Sequence, residues 1–284
     1  MTLIAARDLA ARLARPDDIR LVDMRWYLGR PGDGRRAYDE DHIPGAIHLD
    51  IDADLVAPEG PGRHPLPSPS AFKRRLEAAG IGDRHLVVAY DDAGGSVAAR
   101  LWWMLDDLGH RATAVLDGGY PAWVAAGLPV VSAADESALP ALPATLTLAE
   151  RWSKVIDRDT LHDRLGKLVV LDARAAARYR GEIEPIDPVA GHIPTALSAP
   201  VDGNVGPDGR FLAASELARR YRDLGAAGSG VVVYCGSGIT ACDIALARRV
   251  ASLPDPILYP GSYSDWSRSG MPVAVGPEPG DPPA

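Results

Sequence analysis

The sequence predicts an α/β protein built as two tandem copies of one unit, each a mostly parallel sheet flanked by helices. Three observations carry that expectation. Short β-branched runs alternate with helical patterns along the chain. The runs KLVVLDA (167–173), GVVVYC (230–235) and PILYP (256–260) are continuously apolar, as strands buried on both faces are. The order of motifs in the first half also recurs in the second.

The repeat is explicit. LVDMR at 21–25 answers VLDAR at 170–174, and HIPGAIHL at 42–49 answers HIPTALSA at 192–199. LVVAYD at 86–91 answers VVVYCG at 231–236, and LDGGYPAWVAAGLPV at 116–130 answers YPGSYSDWSRSGMPV at 259–273. The order is the same and the offset stays between 143 and 150 residues, so the chain is a duplication. Its elements follow in order. Residues 1–18 read as an amphipathic first helix with arginines through its apolar positions and no continuous apolar core. Segment 134–148, with prolines at 140 and 143, is expected to link the copies, giving domains at 1–133 and 149–275. ASELARRYRDLG (214–225) and TACDIALARRVASL (240–253) have helical period, the first closed by Gly225. GPEPGDPPA, residues 276–284, is expected to be a disordered tail.

Composition narrows the function. Of the 284 residues, 46% are hydrophobic and 24% charged, the balance of a soluble protein with a full core. No apolar run approaches a membrane span, and a cytoplasmic location is expected. A net charge of −8 argues against nucleic acid, yet leaves room for a small anionic substrate in a local arginine pocket. The two cysteines, Cys235 and Cys242, are too few for a four-thiolate metal site. Two helical turns, about 10 Å, separate them, too far for an easy disulfide.

The chemistry concentrates in CGSGIT, residues 235–240, where a strand ends and a helix begins. Ligands in such sheets sit at the carboxyl ends of strands. Gly236 and Gly238 allow close backbone approach, successive N–H groups converge on an anion, and the helix start adds free donors. A thiol placed there is favoured as thiolate; Ser237 and Thr240 add hydroxyls. The plainer reading, a small buried hydrophobe in a tight turn, is common for free cysteine and is adopted for mid-helix Cys242. The first copy places Asp91 where the second has Cys235, which makes it catalytically silent. A carboxylate is costly at a packing position, so the equivalent site is expected to be open and Cys235 exposed. A cysteine-dependent phosphatase needs arginine six residues after its nucleophile; Ala241 stands there.

With these residues in place, the chain resembles the two-domain rhodanese-like sulfurtransferases over nearly its whole length. CGSGIT followed by AC is similar to the active loop of the 3-mercaptopyruvate branch. The thiosulfate branch carries basic residues after the cysteine, and here none precedes Arg248. HIPGA, Trp102–Trp103, LDGG (116–119) and the paired W…G.PV ends match as well. The resemblance implies two tandem rhodanese-like domains and ping-pong transfer of sulfane sulfur through a Cys235 persulfide, with no cofactor and no metal. The donor is a small anion, 3-mercaptopyruvate or thiosulfate. The acceptor is a thiol, such as a thioredoxin-like protein, or cyanide. It further implies that Asp52 and His64 work with Ser237, that Arg178 binds the donor carboxylate, and that Gly236, Gly238, Ile239 and Thr240 line the substrate loop. Ile186 stands where 3-mercaptopyruvate enzymes commonly place a second arginine. A non-catalytic persulfide carrier is the reading of a different class. His42 and His192, at equivalent points of both copies, are expected to shape a turn.

Overall fold

A computed structural model describes residues 2–14, 18–135 and 144–283. Packing divides the chain into two units that do not follow a single cut. Unit 1 comprises residues 1–56, 67–153 and 206–211; unit 2 comprises 57–66, 154–205 and 212–284. Two short segments are therefore exchanged between the sequence copies. Most of the expected linker, 136–143, lies outside the described residues. The part that is described packs on unit 1, where the Leu146 N–H donates to Glu77 and Thr147 binds Asp83.

Among the described residues, unit 1 holds five parallel strands, β1 (Leu3–Ile4), β2 (Ile19–Asp23), β3 (Ala46–His48), β4 (Leu86–Tyr90) and β5 (Thr113–Leu116), in the order β1-β5-β4-β2-β3. Unit 2 holds four, β6 (Val169–Asp172), β7 (Ala196–Ser198), β8 (Val231–Tyr234) and β9 (Ile257–Leu258), in the order β7-β6-β8-β9. All pairs are parallel, and an isolated parallel bridge from Val155 to Leu258 stands where β1 pairs with β5 in the first unit. Central strands β4 and β8 are buried almost throughout, which is why they read as unbroken apolar runs. The first helix, Ala6–Leu13, follows strand β1 and buries Ala6 and Leu9.

The repeated motifs outside the cysteine loop are scaffold, in both units alike. Asp23 accepts the backbone N–H of Arg25 at 2.9 Å and pairs with its guanidinium; Asp172 and Arg174 do the same, also at 2.9 Å. Arg174 then donates to the Gly191 carbonyl, which ties the end of β6 to the turn before β7. His42 stacks on Tyr38 at 3.9 Å and His192 on Tyr179 at 3.8 Å, each with Nδ1 on that tyrosine's carbonyl. Trp123 and Trp266 lie in the two cores.

The expected disordered tail is instead held against unit 2. The Pro279 carbonyl accepts the Thr195 N–H at 2.6 Å, the Glu278 carbonyl meets His192 Nε2 at 3.1 Å, and the Gly276 N–H reaches Arg180. Composition misled because proline and glycine oppose regular elements, not docking: their carbonyls still accept hydrogen bonds.

Asp255 fastens the segment entering unit 2 to the end of helix Ala241–Val250, accepting from Lys154 and Arg249 at 2.8 Å each. Burial pushes its carboxyl up, but Arg249 and Lys154 outweigh this and hold it at about 2. A carboxyl depressed in the folded state stabilises above its unfolded value, near 3.8, and that contribution is lost as pH falls towards 2. The shift corresponds to about 2 kcal/mol. Urea midpoints of wild type and Asp255→Asn should therefore differ at pH 6 and converge by pH 2; a constant gap would remove the ion pair as its source.

Candidate active site

Strand β8 delivers Cys235 to the head of its sheet, and helix Ala241–Val250 begins six residues later with Thr240 as N-cap. The chain between is pinned at both faces. The Cys235 N–H donates to Ser262 Oγ at 3.2 Å, while the Cys235 and Gly236 carbonyls accept the N–H groups of Tyr263 and Ser264 at 3.0 and 2.9 Å. Gly238 is required here: its φ is +80°, and a Cβ would lie 2.6 Å from the Pro260 carbonyl. Ser262 also sits at positive φ, +54°, strain held by its Oγ bonds to the Cys235 N–H and the Tyr259 carbonyl. Cys242 is buried with Sγ donating to the Gly238 carbonyl at 3.4 Å, a structural thiol.

Within the loop, Cys235 Sγ accepts the Gly238 N–H at 3.1 Å and the Ser237 N–H at 3.5 Å. The N–H groups of Ile239 and Thr240 donate to no described residue, so further donors are available just before the helix. Cys235 is 2% exposed, which corrects the expectation of an open site. The comparison with the first copy explains the error. Asp91 is fully buried, yet its Oδ1 accepts from Ala93 and Gly95 and its Oδ2 from Val97 and Ala98, at 2.8–2.9 Å. Burial pushes this carboxyl up and prevails, while four backbone N–H donors oppose it by solvating the charged form. The loop tolerates a charge because its amides solvate one, not because it is open.

His64 Nδ1 lies 2.7 Å from Ser237 Oγ, and both residues are buried. They meet because segment 57–66 packs with unit 2, its Arg63 N–H held by Ser264 Oγ at 3.0 Å. Asp52 belongs to unit 1, in the short helix Ile51–Asp54, where it accepts from Trp26 Nε1 at 2.8 Å. Arg178 donates to Glu184 through Nε at 3.2 Å and Nη2 at 2.6 Å, and to Asp187 at 3.3 Å. Arg174 is committed to Asp172, and Arg180 to Glu182 on the surface. Burial pushes the Glu184 carboxyl up, but the Arg178 bond and the Asp187 N–H prevail and hold it below the usual carboxylate range. Sequence reasoning passed over Arg63, whose Nη1 pairs with buried Asp187. Its one local signal was adjacency to His64.

A duplicated parallel α/β unit with a cysteine cradled at a strand end in one copy and a carboxylate in the other defines the class. The chain belongs to the rhodanese family: the rhodanese-like domain matches residues 5–126 and again 157–269. It is 46% identical to a probable 3-mercaptopyruvate sulfurtransferase of Pseudomonas aeruginosa, over 96% of this chain and 98% of that one. It is 37% identical to a putative thiosulfate sulfurtransferase, SseB, of Mycobacterium tuberculosis, over 93% of each. Among solved structures, 3-mercaptopyruvate sulfurtransferase from Leishmania major superposes with a TM-score of 0.82 at 30% identity, covering 94% of this chain and 74% of that one. Among the described residues no helix is long and apolar enough to cross a membrane.

Proposed function

We propose that the protein transfers sulfane sulfur from 3-mercaptopyruvate to a thiol or cyanide, with Cys235 as nucleophile. The observation that carries this reading is the pair of backbone N–H groups on Cys235 Sγ at a helix start. They stabilise negative charge on sulfur, as it develops on Cys235 in the reaction and as the persulfide anion carries it. The thiolate attacks the donor sulfur; the carbon–sulfur bond breaks and its electron pair leaves as the enolate of pyruvate. That carbanion takes up the proton given up by the donor thiol, leaving pyruvate and a Cys235 persulfide anion. An acceptor thiolate or cyanide then attacks the outer sulfur and restores the Cys235 thiolate, a covalent ping-pong cycle.

The silent copy supports the same cradle. Each Asp91 oxygen lies two bonds beyond Cβ, as does the outer sulfur of a cysteine persulfide, and loop amides hold that anion. In this reading His64 polarises the Ser237 hydroxyl beside the departing enolate, and Arg178 takes the donor carboxylate. Gly236, Gly238, Ile239 and Thr240 supply the loop that receives the donor. A thioredoxin-like dithiol in a reducing cytoplasm suits the acceptor step, and neither cysteine is in a disulfide. Thiosulfate is the second donor reading, favoured by the relative of that name; the loop's lack of any cation between Gly236 and Ala241 favours 3-mercaptopyruvate.

Incubation with 3-mercaptopyruvate should add one sulfur, about 32 Da, to the peptide containing Cys235, removable by cyanide as thiocyanate. Thiocyanate formation should be faster than with thiosulfate. Absence of the adduct with both donors would end the sulfurtransferase reading for this chain.

A further inference from the structure

We propose that Arg63 is a second donor-binding cation, forming with Arg178 a two-guanidinium clamp over Gly236 that takes the carboxylate of a short 2-oxo acid thiol. The inference rests on the proposed donor class and accounts for the arginine that position 186 lacks. Gly236 directly follows the nucleophile. A Cβ built on it would lie 2.9 Å from Arg63 Nη2 and 3.4 Å from Arg178 Nη1. No positive φ calls for glycine there; the absent side chain leaves room for the two guanidinium groups.

Both groups are anchored from behind. Arg178 places its Nε/Nη2 edge on Glu184, and Arg63 places Nη1 on Asp187, carboxylates whose side chains are 3% and 0% exposed. Neither Arg63 Nη2 nor Arg178 Nη1 donates to any described residue. Arg63 Nε is buried without an acceptor as well, which leaves the Nε/Nη2 fork of this guanidinium, the edge that suits a carboxylate, wholly unmatched. Buried donors without acceptors are unfavourable, and an anion at Gly236 satisfies them. Fixing both guanidinium groups in advance lowers the ordering cost of binding.

The test pairs two donors with three proteins. 3-Mercaptopyruvate carries the carboxylate; 1-mercaptopropan-2-one has a methyl group in its place. Arg63→Gln should raise KM for 3-mercaptopyruvate about 30-fold, roughly 2 kcal/mol, with kcat within about threefold of wild type. The same variant should leave kcat/KM for the ketone within about threefold, showing that the cysteine loop is intact. Arg63→Lys keeps the charge but loses the planar fork, and should fall between the two. An unchanged KM for 3-mercaptopyruvate in Arg63→Gln, or equal losses with both donors, overturns the assignment of Arg63. Failure of the wild-type protein to form the persulfide from 3-mercaptopyruvate is a different result, and overturns the donor reading itself.

Discussion

Cys235→Ser lowers donor-dependent thiocyanate formation by about 10⁴-fold or more and abolishes the added-sulfur mass on the 235-containing peptide. Serine keeps the loop's size and hydrogen-bonding character, so the strand-to-helix turn pinned by Ser262, Tyr263 and Ser264 should fold unchanged. The nucleophile, however, disappears. A hydroxyl is not ionised beside two N–H donors at neutral pH, and its oxygen sits closer to Cβ than sulfur did, away from those donors. Cys242 cannot substitute: its thiol is buried and committed to the Gly238 carbonyl. Thiocyanate release measured with both donors, alongside circular dichroism to establish folding, checks this. Residual activity above a few per cent in a folded Cys235→Ser protein would mean that sulfur passes through another group.

How much of this was legible beforehand follows from the range of the interactions. Strands, helices and the cysteine loop are local: β8 announces itself in VVVY, and the turn in two glycines and a helix start. Duplication also made the motifs separable, since D-x-R and the HIP turn recur in the first copy, which carries Asp91 in place of the cysteine, and therefore serve the scaffold. The Ser237–His64 contact was not legible from the residues, because its partners are 173 positions apart and segment 57–66 leaves its own copy to pack with the other. Only family resemblance pointed to His64. Arg63 lies 124 positions from Asp187, and nothing in the local pattern of GRHPLP marks a guanidinium that meets the loop glycine. Besides the docked tail, the inference that failed concerned exposure. Asp91 in place of cysteine suggests an open site, whereas a backbone turned inward can solvate a buried charge with no signature in side-chain type.

That backbone solvation makes Asp91 the position of largest expected loss in stability. Asp91→Ala removes a buried carboxylate and leaves the N–H groups of Ala93, Gly95, Val97 and Ala98 without their acceptor. A lost hydrogen bond to a charged group is worth about 1.5–3 kcal/mol. Four together exceed what the fold keeps, because the loop relaxes and water enters; a loss of about 4 kcal/mol is expected, within the range reserved for buried polar networks. Asp91→Asn retains one acceptor oxygen and should lose about half as much. Every tryptophan except Trp266 belongs to unit 1, so urea unfolding followed by tryptophan fluorescence reports on the affected unit. A loss below about 1 kcal/mol for Asp91→Ala would show that the loop does not depend on its anion, and would weaken the parallel with Cys235. A large loss makes the two copies one device in two states. In unit 1 the cradle is filled permanently by a carboxyl group and serves stability; in unit 2 the same place holds the Cys235 sulfur, with the N–H groups of Ile239 and Thr240 to spare for the outer sulfur of the proposed persulfide.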